Sequence, residues 1–226
     1  MSELAHHSTD YSVVERESPS VMAANLRVAA QLWSSATVFF FFAFLFAYFY
    51  LRSLNTAGQW KPKHVDPSLT LGTLTMLGVV LAAALLWLAV GNHRVNNYRA
   101  WRQKGAVALI LLVAAVVLQI VEWATQGFGP TQGGYASVYL GWTGLEVLFV
   151  LGLAYWLETT LATSLRYRNV TPAQFEAGEA AGDSDRESPD IDDPLSLVRA
   201  ELGAVTVFAT VLAGVSLATW LILYLL

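Results

Sequence analysis

Two carboxylic acids stand inside otherwise apolar stretches of this 226-residue chain: Glu122 in LQIVEWATQ and Glu146 in WTGLEVLFV. A charge held in hydrocarbon costs about 2.5–3.5 kcal/mol or more, so such an acid is first a functional hypothesis. The chemistry open to it is proton transfer, alone or as a coupled pair. The plainer alternative is a neutral carboxyl, or one hydrogen-bonded between helices, because a buried acid without a cationic partner can stay protonated. No Lys or Arg lies in the hydrocarbon part of any apolar stretch. Glu146 sits about ten residues into its stretch, near mid-bilayer, and both readings stay open for it. Glu122 lies near the outward end of its own stretch and reads as interfacial and water-reaching.

Other chemistries have no residues to carry them. The chain has no cysteine, which excludes disulfides, thiolate catalysis, iron–sulfur clusters and cysteine-bound zinc. Its histidines, His6, His7, His64 and His93, all fall outside the apolar stretches, whereas haem iron or copper in a bundle needs ligands inside it. No catalytic, cofactor-binding or metal-ligating residue is therefore assigned, and paired catalytic groups of a membrane enzyme are missing. Gln31, Gln119, Thr75, Thr143, Ser216 and Thr219 read as hydrogen-bonding residues between helices, each contributing about 0.6–2 kcal/mol. Small residues four apart (Ala209 and Ala213, Gly214 and Ala218) read as points of close helix approach. No basic stripe exists to hold a nucleic-acid backbone.

The elements that must position these groups are legible from composition. Hydrophobic residues make up 55% of the chain and charged ones 13%, about half the charge of a typical soluble domain. A helix needs about 20 mainly apolar residues to cross the bilayer. Five stretches qualify, at about 28–51, 69–90, 106–123, 137–161 and 202–226. The expected fold is an all-α integral membrane bundle of five transmembrane helices, residues 28–226, preceded by a polar tail over 1–27. That tail lacks the basic and short apolar regions of a cleaved signal peptide, so the first span is expected to remain. Asn55, Gly58, Pro62 and Pro67 break the chain after the first span. GNHRVNNYRAWRQKG reads as a polar joint between the second and third, and GFGPTQGGY as an uncharged turn between the third and fourth. The connection from Arg166 to Arg199 carries eight acids and four arginines, and its core at about 170–195 reads as a flexible acidic loop.

Lys and Arg set the orientation. Ten fall on the side of the tail, the second joint and the acidic loop, against Arg52, Lys61 and Lys63 on the other. The N-terminus is expected to be cytoplasmic and the C-terminus outward. Trp60, Trp101, Trp123 and Trp142 lie near span ends and read as head-group anchors. No internal repeat supports an inverted-repeat transporter plan.

Three blocks carry a more specific signal. SSATVFFFFAFLFAYFYLRS (Ser34 to Ser53) is Phe-rich and ends in an arginine. QWKPKHVDPSL (Gln59 to Leu69) follows it. The stretch from Glu122 through GGYASVYLGWTGLEVLFVLG to Gly152 sets Glu122 and Glu146 24 residues apart. In order and spacing these resemble the cytochrome c oxidase subunit III family, in a divergent five-helix bacterial form, over nearly all of the chain from about Ala29. The family's acid in the first of these helices falls on Ala36, its H-x-x-H histidines fall on Glu146 and Phe149, and its last-helix signature is absent from AVTVFATVLAGVSLATW.

The resemblance implies a subunit without haem or copper of its own, both being carried by partner subunits. It implies packing against catalytic subunit I beside copper-binding subunit II, bound phospholipid, and support of proton uptake and complex stability in aerobic respiratory electron transport. It places the chain in a bacterial cytoplasmic (inner) membrane, in an oxidase or a larger respiratory supercomplex. Glu122 becomes the retained structural or proton-linked acid, and Tyr48, Arg52 and Trp60 become shapers of an interfacial lipid site. An accessory subunit of a nitric-oxide reductase is the alternative within the same fold. A small transporter or channel would need polar residues lining a path through several spans, and the second and fifth are almost wholly apolar.

Overall fold

The computed structural model describes residues 19–55, 58, 60–95, 97–166 and 194–226. The tail with His6 and His7, and residues 167–193 with nearly all of the acidic loop, lie outside the described residues. The chain forms α1 (Pro19–Ser53), α2 (Leu69–Arg94), α3 (Tyr98–Thr125), α4 (Gly134–Arg166) and α5 (Pro194–Trp220), which runs into a π turn at Leu221–Leu225. Each helix is long and apolar enough to cross a membrane, as expected where backbone groups must bond within their own segment. The chain is a five-helix, multi-pass membrane bundle.

The helices outrun their apolar stretches. α1 starts nine residues before the expected span, inside the supposed polar tail, and α3 starts eight before it. The polar joint between α2 and α3 is thus mostly helix. Asn97 caps α3, its Oδ1 accepting from Ala100 N at 3.2 Å, and Ser68 caps α2 through Leu71 N. Such side-chain oxygens satisfy amides that have no intrahelical partner. Hydrophobicity marks where lipid ends, whereas capping marks where the helix ends. His93 accordingly falls within the last turn of α2, buried against the Tyr98 and Trp101 rings.

Neighbours in space are not always neighbours in sequence. α2 and α3 form a hairpin, while α5 packs on α1, α2 and α4, and α1 packs on α5 and α4. Gly78 permits the α2–α3 approach, since a Cβ there would lie 3.2 Å from the Ala115 Cβ. A main core joins α2, α3, α4 and α5 through Leu86, Leu112, Leu153, Leu202 and Phe208. A second, aromatic core at the other end holds Phe41, Tyr48, Trp60, Tyr135, Tyr139 and Trp142. α1 contributes one seam, Ala30, Ser34, Thr37, Phe41 and Tyr48, and leaves Phe39, Phe42 and Phe46 exposed.

A single polar device recurs between helices. Trp87 Nε1 donates to Thr210, Trp123 to Thr143, Trp142 to Thr219 and Trp220 to Thr73, at 2.8–3.1 Å. Each of these threonines donates its own hydroxyl proton to the carbonyl four residues back. The hydroxyl proton is satisfied inside its helix, which leaves a lone pair for the indole of the neighbour. Trp142 is therefore a core residue rather than a head-group anchor; Trp101 and Trp60 are buried too, Trp101 without a hydrogen bond to its indole N–H. An indole placed near a span end turns inward where a hydroxyl can meet its N–H. The small pairs on α5 divide: Ala209 is in the core, while Gly214 and Ala218 line an apolar groove of about 310 Å³ between α1 and α5.

Candidate functional site: a buried carboxyl network

Glu122 lies in the last turn of α3 and is 1% exposed. The water-reaching role expected from its position is not what the structure shows. Its Oε2 accepts from Tyr224 Oη at 2.8 Å and from Gln119 Nε2 at 3.2 Å. Gln119 also donates to Tyr139 Oη at 3.3 Å, and the Tyr139 and Tyr224 hydroxyls lie 3.2 Å apart. The Tyr224 proton points to Glu122, so Tyr139 is the donor between the two phenols. Gln119, Tyr139, Tyr224 and Glu122 thus form a closed ring of hydrogen bonds. The other carboxyl oxygen, Oε1, is buried without a hydrogen-bond partner.

Each member is placed by an element. Gln119 and Glu122 are three residues apart, hence on one face of α3. Tyr139 comes from the second turn of α4. Tyr224 comes from the π turn and lies over Gly72 of α2, where any Cβ would collide with its ring. Gln119 was legible as a hydrogen-bonding residue. Tyr139 and Tyr224 were not, because a tyrosine near a span end reads as an interfacial anchor. The spacing of Gln119 and Glu122 was the one available signal.

Glu146 is 7% exposed and lines a small cavity together with Ser216 and Thr219 of α5. It does not touch the Glu122 ring directly. No cation bonds to either acid; among the described residues the ion pair is Lys61–Asp66, 2.8 Å long, at the surface.

Tyr48, Arg52 and Trp60 come together. Arg52 Nη1 donates to Tyr48 Oη at 3.4 Å, and Tyr48 meets the Trp60 ring edge-on at 5.1 Å. Trp60 is held through its own backbone: its amide N–H donates to the Asn55 side-chain Oδ1 and its carbonyl accepts from the Tyr135 amide. Tyr135 stacks on Tyr139 at 6.1 Å and donates to the Leu223 carbonyl, joining this cluster to the carboxyl ring. An open cavity of about 920 Å³ is lined by Trp60, Lys63 and His64 at this end. Of the three residues expected at a lipid site, Trp60 reaches it.

The arrangement can store and orient a proton and can hold four helix ends in register. Among the described residues no three His, Cys, Asp or Glu side chains come together. No family model matches the chain. It is similar to cytochrome c oxidase subunit 3 of Struthio camelus (23% identical), Pongo pygmaeus (25%) and Pongo abelii (26%), in each case over 161 residues and 69% of this chain. The chain spans about 62% of the length of these curated relatives.

Proposed function

We propose that this chain is the non-catalytic subunit III of a haem–copper terminal oxidase in a bacterial cytoplasmic membrane, with its N-terminus cytoplasmic and its C-terminus outward. The similarity to three cytochrome c oxidase subunit 3 chains, over 161 residues, carries the reading. The five-span bundle supports it. Haem and copper belong to partner subunits I and II, and this bundle packs against subunit I. The Phe-rich outer face of α1, exposed in the isolated chain, is compatible with lipid or such a partner. Phospholipid at the Trp60 end and support of proton uptake complete the role, with Glu122 as an acid that secures the bundle.

The test is purification of the tagged chain from its native membrane in mild detergent. Haem absorbance and a catalytic oxidase subunit in the same complex are expected. A chain recovered alone, with no haem in any co-purifying band, would overturn the proposal.

A further inference from the structure

Between the Glu122 ring and Glu146 the bundle leaves a small, partly open cavity of about 10 Å³. All five neighbouring segments present a polar group to it: Thr75 of α2, Gln119 of α3, Glu146 of α4, Ser216 and Thr219 of α5, and Tyr224 of the π turn. A site of roughly 10–15 Å³ by this measure holds one water, provided two to four polar groups meet it. Thr75 supplies an independent observation. Its buried Oγ1 has no hydrogen-bond partner, although Thr73, Thr143, Thr206, Thr210 and Thr219 each bond the carbonyl four residues back. A buried hydroxyl left unmet costs about 1–3 kcal/mol, and this one belongs to a residue lining the cavity.

We infer that the cavity binds a single water molecule that joins Glu146 to Tyr224, and through it to Glu122, so that the two acids share one hydrogen-bonded chain. The donors and acceptors close. Tyr224 donates to Glu122 and accepts from Tyr139, which leaves its oxygen one lone pair for the water. The water donates there and to Ser216 Oγ, and accepts from the Thr75 hydroxyl and the protonated Glu146 carboxyl. A proton then crosses in three steps: Glu146 to the water, the water to the Tyr224 oxygen, and Tyr224 to an ionised Glu122. Each step breaks one O–H bond and forms another, and the net result moves the proton and leaves the negative charge on Glu146. This linkage belongs to the chain itself and does not depend on the oxidase reading.

The test is infrared spectroscopy of the carboxyl C=O and carboxylate stretches on the chain in the complex it purifies with, or in lipid nanodiscs. Glu146→Gln and Glu122→Gln assign the two bands by their loss. Thr75→Val, which removes the hydroxyl at nearly constant volume, is expected to shift the Glu146 band, and Thr75→Ser to leave it in place. Glu122→Gln is expected to shift the Glu146 band, and Glu146→Gln the Glu122 band. A Glu146 band unmoved by Thr75→Val overturns the water site. Bands that ignore each other's substitution overturn the linkage. Should Thr75→Val fail to fold, the two Gln variants still decide the linkage, and map density at the cavity in a high-resolution structure of the unaltered chain decides the water.

Discussion

At the scale of single residues, the two acids differ in how their environment was legible. Glu146 was placed near mid-bilayer by counting, and its burial beside α5 hydroxyls fits a neutral carboxyl. Glu146→Gln keeps that shape and much of its hydrogen bonding, so the chain is expected to assemble normally, as native gel electrophoresis of the complex would show. Dissociation would sink the neutral-carboxyl reading. Glu122 was misjudged because depth along a helix says nothing about what covers its end. Its cover is Tyr224, a residue 102 positions away in sequence. Removing the acceptor strands two donors: Glu122→Ala leaves both the Tyr224 hydroxyl and a Gln119 amide proton unmet in a buried site, at about 1–3 kcal/mol each. Tyr224→Phe strands less, so a smaller loss is expected. Thermal unfolding in matched detergent should rank Glu122→Ala below Tyr224→Phe and both below the unaltered chain.

At the scale of elements, the spans were readable because hydrocarbon thickness dictates their length, while their ends were not, because caps decide those. The indole–threonine pairs escaped the sequence for a related reason. A tryptophan near a span end looks the same whether it faces head groups or a neighbouring hydroxyl. Interhelical hydrogen bonds in membranes contribute about 0.6–2 kcal/mol. Thr219→Val should weaken the α4–α5 contact by that order, and Trp142→Phe should weaken it less than additively on top, a double-mutant cycle in mixed micelles being the measurement. Gly72 offers a sharper case, because the close approach of Tyr224 demands a residue without Cβ. Gly72→Ala should destabilise the bundle by about 1–3 kcal/mol through overpacking. Adding Tyr224→Ala, which empties the space, should make the alanine at 72 nearly neutral. If the two losses simply add, the collision is not the cause.

At the scale of the whole molecule, the class of fold was plain in the composition, but the arrangement was not, since hydrophobic stretches do not say which helix meets which. The orientation rests on Lys and Arg counts and is checked by reporter fusions. Activity inside the cell for fusions within the acidic loop, and outside it for fusions after Leu226, is the expected pattern. The central place of α5, between α1, α2 and α4, bears on the order of synthesis. The α2–α3 hairpin can close as soon as both spans leave the ribosome. α1 has no such early partner, for its contacts are with α4 and, above all, with α5, the later of the two to be made. Until α5 enters the bilayer, the part of the α1 seam that α5 covers and the Thr73 hydroxyl of α2 have only lipid or the insertion machinery to face. Completion of the bundle therefore waits for the synthesis of α5, and a chain cut short before Pro194 would present the membrane's proteases with unassembled spans rather than a smaller version of the same fold.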